Sequence, residues 1–133
     1  MTNYIFVYGT LMRGHGNHPL MEMGKDTEYV GPGSLPGFRM YHLGGFPGIT
    51  PSGDSSDVVS GEIYRVVNPD VMVRLDRLEG VRYDKDNNSC GLYHKRSGPI
   101  GDDDRGTFVD AYYYEYNGTP HPGCELVDGV WRY

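Results

Sequence analysis

Cysteine is scarce in this chain: Cys90 and Cys124 are the two among 133 residues, far apart and without a C-x-x-C pair. That spacing excludes a disulfide framework and a zinc knuckle, and reads as two free thiols. His15, His18, His42, His94 and His121 are scattered. No third ligand is spaced to join His15 and His18, so no metal site is expected. No block of Lys or Arg occurs, and 12 Lys+Arg against 18 Asp+Glu leave a net charge of −6. Nucleic-acid binding is therefore not expected as the main activity. No run approaches the roughly 18 apolar residues of a membrane span. Met1-Thr2-Asn3-Tyr4 lacks the positive start of a signal peptide, so a cytoplasmic setting is expected. The phosphate loop G-x-x-x-x-G-K-[ST] and the nucleophile elbow G-x-S-x-G are both missing. If the chain is an enzyme, it is expected to work by acid/base chemistry without a covalent step.

What the chain has is glycine (20), proline (9) and tyrosine (12). Gly and Pro spread without a period imply many turns and short elements rather than a repeat or a linker. Tyr4 to Tyr8 reads as a buried strand ended by Gly9. Further strands are expected at Thr27–Val30, Phe38–Leu43, Val58–Val67, Leu92–Ser97 and Thr107–Tyr116. A helical turn or two is expected at His18–Met23. One helix is well signalled: Asn68 as N-cap, Pro69 at the first helical position, Asp70 against the dipole and Gly80 closing it. Strands dominate without regular alternation with helices. The expected fold is α+β, one strongly curved sheet or barrel with a helix packed against it, in a single domain over residues 1–133.

Glu79 breaks the helix pattern. At about 100° per residue, counted from Val71, it falls on the apolar arc between Leu75 and Met72, with Leu78 on the same arc. A carboxylate there is costly unless it is paired or used, and the last turn of a helix disfavours negative charge. Both effects favour the neutral form, which is what acid/base work at neutral pH needs. Pairing with Arg82 or Arg96 is the competing, purely structural reading.

Gly9-Thr10-Leu11 follows the first strand directly. Glycine there lets backbone N–H groups approach a carboxylate or a developing oxyanion; a plain turn would use the same residues. Phe46-Pro47-Gly48, within the Gly-rich corner Gly44–Gly48, reads either as a rigid corner or as a pocket wall.

These residues resemble a known family. Tyr8-Gly9-Thr10-Leu11 is similar to the Y-G-[ST]-L motif of the γ-glutamylcyclotransferase-like (γ-glutamylamine cyclotransferase, AIG2-like) proteins. Leu75-Asp76-Arg77-Leu78-Glu79-Gly80 resembles their L-D-x-x-E-G helix end. Gly44–Ile49 resembles a G-x-F-P segment, Leu92-Tyr93 with Arg96 an L-Y-x-R strand, and Gly129-Val130-Trp131 a G-x-W ending. The resemblance implies a small barrel with a pocket at its mouth, a γ-glutamyl small molecule as substrate, 5-oxoproline as product and no cofactor. By position it implies Glu79 as the general acid/base, Tyr8, Gly9, Thr10 and Leu11 as the loop holding the glutamyl part, and Tyr93 as a pocket wall. A non-catalytic module binding a γ-glutamyl or other small carboxylate on the same fold is the alternative. Val81–Gly91 and Asp102–Gly106 are longer and more polar than the family pattern, and are candidates for the entrance.

Overall fold

The computed structural model describes residues 3–21, 24–121, 123–126 and 129–131. β1 (Tyr4–Val7) is the apolar run that opens the chain, and Ile5, Phe6 and Val7 are all buried. It pairs antiparallel with β5 (Val58–Val66) and parallel with β7 (Thr107–Tyr116). β2 (Thr27–Pro36) joins β5 to β6 (Tyr93–Asp102), and β6 pairs with β7. The order β1-β5-β2-β6-β7 thus closes into a barrel. A second sheet, of order β4-β3-β8, is built from β3 (Phe38–His42), β4 (Pro47–Pro51) and β8 (Glu125–Leu126).

A five-stranded barrel is narrow, so its interior depends on missing side chains. A Cβ on Gly33 would lie 2.6 Å from Ile63 Cγ1, and one on Gly61 would lie 2.3 Å from the Val7 carbonyl. Those two glycines make room for Phe6, Ile63 and Ile100, each fully buried. Gly129 closes the opposite end. Its φ is +66°, its carbonyl accepts the Ser60 N–H at 2.9 Å, and Trp131 is buried two residues on. A Cβ on Gly129 would meet the Val58 carbonyl at 2.0 Å. Gly129→Ala is therefore expected to cost about 2–4 kcal/mol, read as a lower chemical-denaturation midpoint at unchanged slope.

The strand expectations hold with two extensions. β2 runs on past Val30 to Pro36 through a bulge between Tyr29 and Gly31. At Pro32 the β6 side of β2 needs only an acceptor, and the Pro32 carbonyl takes the Asp103 N–H at 3.1 Å. The Gly-rich corner narrows to Gly44–Phe46, and Pro47 begins β4 instead of continuing the turn. The helical expectation at His18–Met23 is met by a 3₁₀ turn over His18–Met21; Met23 lies outside the described residues. Among the described residues, no helix is long and apolar enough to cross a membrane.

Helix α1 (Asp70–Leu78) starts one residue later than expected, with Pro69 at the cap, yet Asn68 Oδ1 still accepts the Asp70 N–H at 3.1 Å. Both ends are pinned. At the start, buried Asp26 accepts from Arg74 Nη2 at 2.6 Å and Asn68 Nδ2 at 3.2 Å. The Arg74 guanidinium holds the Asp26 carboxyl below its usual range. At the finish, Asp76 accepts from Lys95 Nζ on β6 at 2.9 Å and from the Tyr114 hydroxyl on β7 at 2.7 Å. The last turn of α1 is thereby fixed over the barrel mouth.

Candidate active site

Glu79 is the residue on which α1 ends. Its own N–H still bonds to the Leu75 carbonyl at 3.0 Å, so its backbone belongs to the last turn. Gly80, at φ +64°, then reverses the chain. The Gly80 N–H reaches Arg77 O at 3.1 Å and the Val81 N–H reaches Asp76 O at 2.9 Å, the paired bonds of a Schellman stop. The Gly80 carbonyl accepts from the Leu92 N–H at 2.9 Å and ties this corner to the start of β6. These bonds fix the position of Glu79 without using its carboxyl group.

That carboxyl lies where two hollows meet. The inner one is lined by Phe6, Val7, Tyr8, Gly9, Thr10, Leu11, Pro47, Glu79 and Tyr114, and has room for about 20 Å³. That is the space of a single water or one small polar group. The outer one is a groove of about 300 Å³ between Thr10, Asn17, Gly45, Phe46, Leu78, Glu79, Leu92 and Tyr93. Burial raises the Glu79 carboxyl to about 7 from 4.5, and no cation offsets it. Arg96 Nη2 lies 3.4 Å from Glu115, and Arg82 forms no ion pair among the described residues. The structural pairing of Glu79 with either arginine is therefore absent.

The loop after β1 supplies the other half. Its carbonyls are taken: Met12 N–H to Gly9 O at 3.0 Å, Asn17 N–H to Thr10 O at 2.9 Å, and His18 Nδ1 at 2.9 Å from Leu11 O. Asn17 Nδ2 donates to Thr10 Oγ1 at 2.8 Å. Arg13 bonds Glu62 on β5 through its backbone N–H and Nε and lies over the Tyr29 ring. The N–H groups of Gly9, Thr10 and Leu11 have no internal acceptor among the described residues. Three free N–H groups on one small hollow suit a carboxylate or an oxyanion.

Gly9 has a steric reason. A Cβ there would stand 2.6 Å from Pro47 Cγ and 3.0 Å from Pro47 Cδ. Pro47 is buried on β4 and is held from behind, its carbonyl accepting the Tyr93 hydroxyl at 2.5 Å. Gly9→Ala is expected to displace the loop and to lower ligand affinity at least about tenfold, measured by calorimetry.

The tyrosines act as walls. The Tyr8 hydroxyl donates to the Tyr114 carbonyl at 2.6 Å, so Tyr8 offers the inner hollow its ring and backbone. Burial pushes the Tyr8, Tyr93 and Tyr114 phenols well above their usual range, so all three are neutral donors at neutral pH. The structure brings Tyr8, Gly9, Thr10, Leu11 and Glu79 onto the inner hollow, with Tyr93 on the outer groove. Pattern reading missed Asn17, Leu78, Leu92 and Tyr114. Leu78 fits the core arc by spacing, but α1 ends there and the side chain overhangs the groove. None of residues 81–91 or 102–106 lines either hollow, so the expected entrance role of those two loops is not met. Among the described residues, no three His, Cys, Asp or Glu side chains converge to hold a metal.

Comparison with known proteins decides the family. The profile described as "Gamma-glutamyl cyclotransferase, AIG2-like" matches residues 5–133. The chain belongs to that family. It is 35% identical over 74 residues to the gamma-glutamylcyclotransferase family protein YtfP of Escherichia coli K12, covering 56% of this chain and 59% of that one. The aligned segments span less than two thirds of the length of the curated relatives matched. The solution structure of E. coli ytfP superposes with a TM-score of 0.63 at 27% identity, over 96% of this chain and 95% of that one. An AIG2-like protein from Mus musculus superposes with a TM-score of 0.74 at 24% identity, over 98% and 88%, a likeness of fold. This γ-glutamyl cyclotransferase-family barrel thus carries Glu79 and the Gly9–Leu11 loop at one mouth.

Proposed function

We propose that this protein cyclises a γ-glutamyl compound, releasing 5-oxoproline and an amine. The observation that carries the reading is Glu79: an unpaired carboxyl held near neutrality between a cradle of free N–H groups and an open groove. The substrate carries its own nucleophile. Its α-amine, entering as the free base, attacks the γ-carbonyl carbon and closes a five-membered ring. As that C–N bond forms, the Glu79 carboxylate accepts the amine proton. It returns the proton to the leaving nitrogen as the original C–N bond breaks, so the group ends as it began. The amides of Gly9, Thr10 and Leu11 hold the α-carboxylate or the developing oxyanion. Folding the glutamyl chain against Pro47 and Tyr8 supplies the rest, since well-oriented intramolecular reactions reach effective molarities of about 10⁵–10⁸ M.

The test is direct. γ-Glutamylmethylamide and γ-glutamylalanine are incubated with the protein, and the products are separated by chromatography. Equimolar 5-oxoproline and free amine from at least one of them is the expected result. Glutamate as the product, or no product from folded protein, contradicts the reading.

A further inference from the structure

The outer groove carries a preference that the family does not define. Phe46, Leu78 and Leu92 stand 37%, 39% and 46% exposed, and all three line this one groove. Each belongs to a different segment: Phe46 precedes β4, Leu78 ends α1, and Leu92 precedes β6. Exposed apolar side chains that converge on a concavity favour an apolar occupant. The remaining lining groups are Gly45, Thr10, Asn17, Tyr93 and Glu79, and none of the groove residues is a Lys, Arg or His. The Tyr93 hydroxyl is committed to the Pro47 carbonyl and Asn17 Nδ2 to Thr10.

We infer, resting on the cyclotransferase reading above, that the leaving group is an apolar, carboxylate-free amine, so that the substrates are γ-glutamyl amides of aliphatic or arylalkyl amines. The chemistry is local. In a γ-glutamyl amino acid the leaving group's carboxylate sits two bonds from the nitrogen that Glu79 must serve. It would enter the groove beside the Glu79 carboxyl with no cation to meet it, and a desolvated unpaired charge is strongly disfavoured. A diamine would leave the three apolar side chains uncovered.

A matched pair isolates the carboxylate: γ-glutamylphenethylamide against γ-glutamylphenylalanine, identical apart from that group. Two readouts are taken with wild-type protein, 5-oxoproline release and calorimetric affinity, the latter also on Glu79→Gln so that turnover does not interfere. The expected result is at least about a tenfold advantage for the amide in both. Leu92→Lys is expected to shrink that ratio about tenfold by giving the carboxylate a partner. Equal or better turnover and affinity for the dipeptide overturns the inference and leaves the cyclotransferase reading standing. Preferential binding of the amide without 5-oxoproline supports the ligand class and removes the reaction. Absence of binding by either compound overturns both.

Discussion

Glu79→Gln is expected to lower kcat/KM for 5-oxoproline release by about 10²–10⁴-fold while leaving the fold intact. The substitution suits the site. Gln keeps the size of the side chain, and Glu79 has no ion pair to break among the described residues. The backbone bonds that end α1 involve the N–H groups of residues 79–81, which Gln preserves. What Gln cannot do is accept the proton of the attacking amine. Circular dichroism and the unfolding midpoint should match wild type at pH 5. A Glu79→Gln variant that cyclises at a third or more of the wild-type rate would remove Glu79 from the mechanism.

The same substitution is expected to stabilise the protein, and only on the alkaline side. Burial raises the Glu79 carboxyl to about 7 from 4.5, so the folded state keeps a proton that the unfolded chain gives up. The stabilising contribution of the neutral group is complete below about pH 4.5. It declines as pH rises and is gone above about pH 7. The displacement corresponds to about 2–3 kcal/mol. Wild type should therefore lose that much against Glu79→Gln between pH 4 and pH 8, a difference of several degrees in Tm near pH 8. Parallel Tm curves for the two proteins across that range would show that Glu79 titrates as an ordinary surface carboxyl.

How legible this was in the sequence differs by element. The first strand, the helix and the strand Thr107–Tyr116 carry strong local signals, and the structure has them with boundaries shifted by a residue at most. The start of β4 at Pro47 was hidden because Phe46-Pro47-Gly48 is turn-like in composition; its strand character comes from pairing with β3, which no local pattern encodes. Glu79 was legible because a charge on an apolar arc conflicts with the helix around it. Leu78 was misplaced for a related reason. The arc assumes a helix that continues, and the Schellman stop at Gly80 turns its last residues out over the mouth. Tyr114 could not be assigned a face, since Tyr113 and Tyr114 are adjacent on β7 and both are buried. Asn17 carries no periodic signal at all; its importance lies in closing the loop back onto Thr10, a contact across seven positions.

The central claim is that ring closure is intramolecular and served by Glu79. The measurement that tests it most directly is product analysis by mass spectrometry in ¹⁸O-labelled water, with wild type beside Glu79→Gln and γ-glutamylphenethylamide as substrate. The account predicts unlabelled 5-oxoproline from wild type, together with free phenethylamine, and almost none from Glu79→Gln. Labelled glutamate from wild type, or undiminished 5-oxoproline from Glu79→Gln, would contradict it.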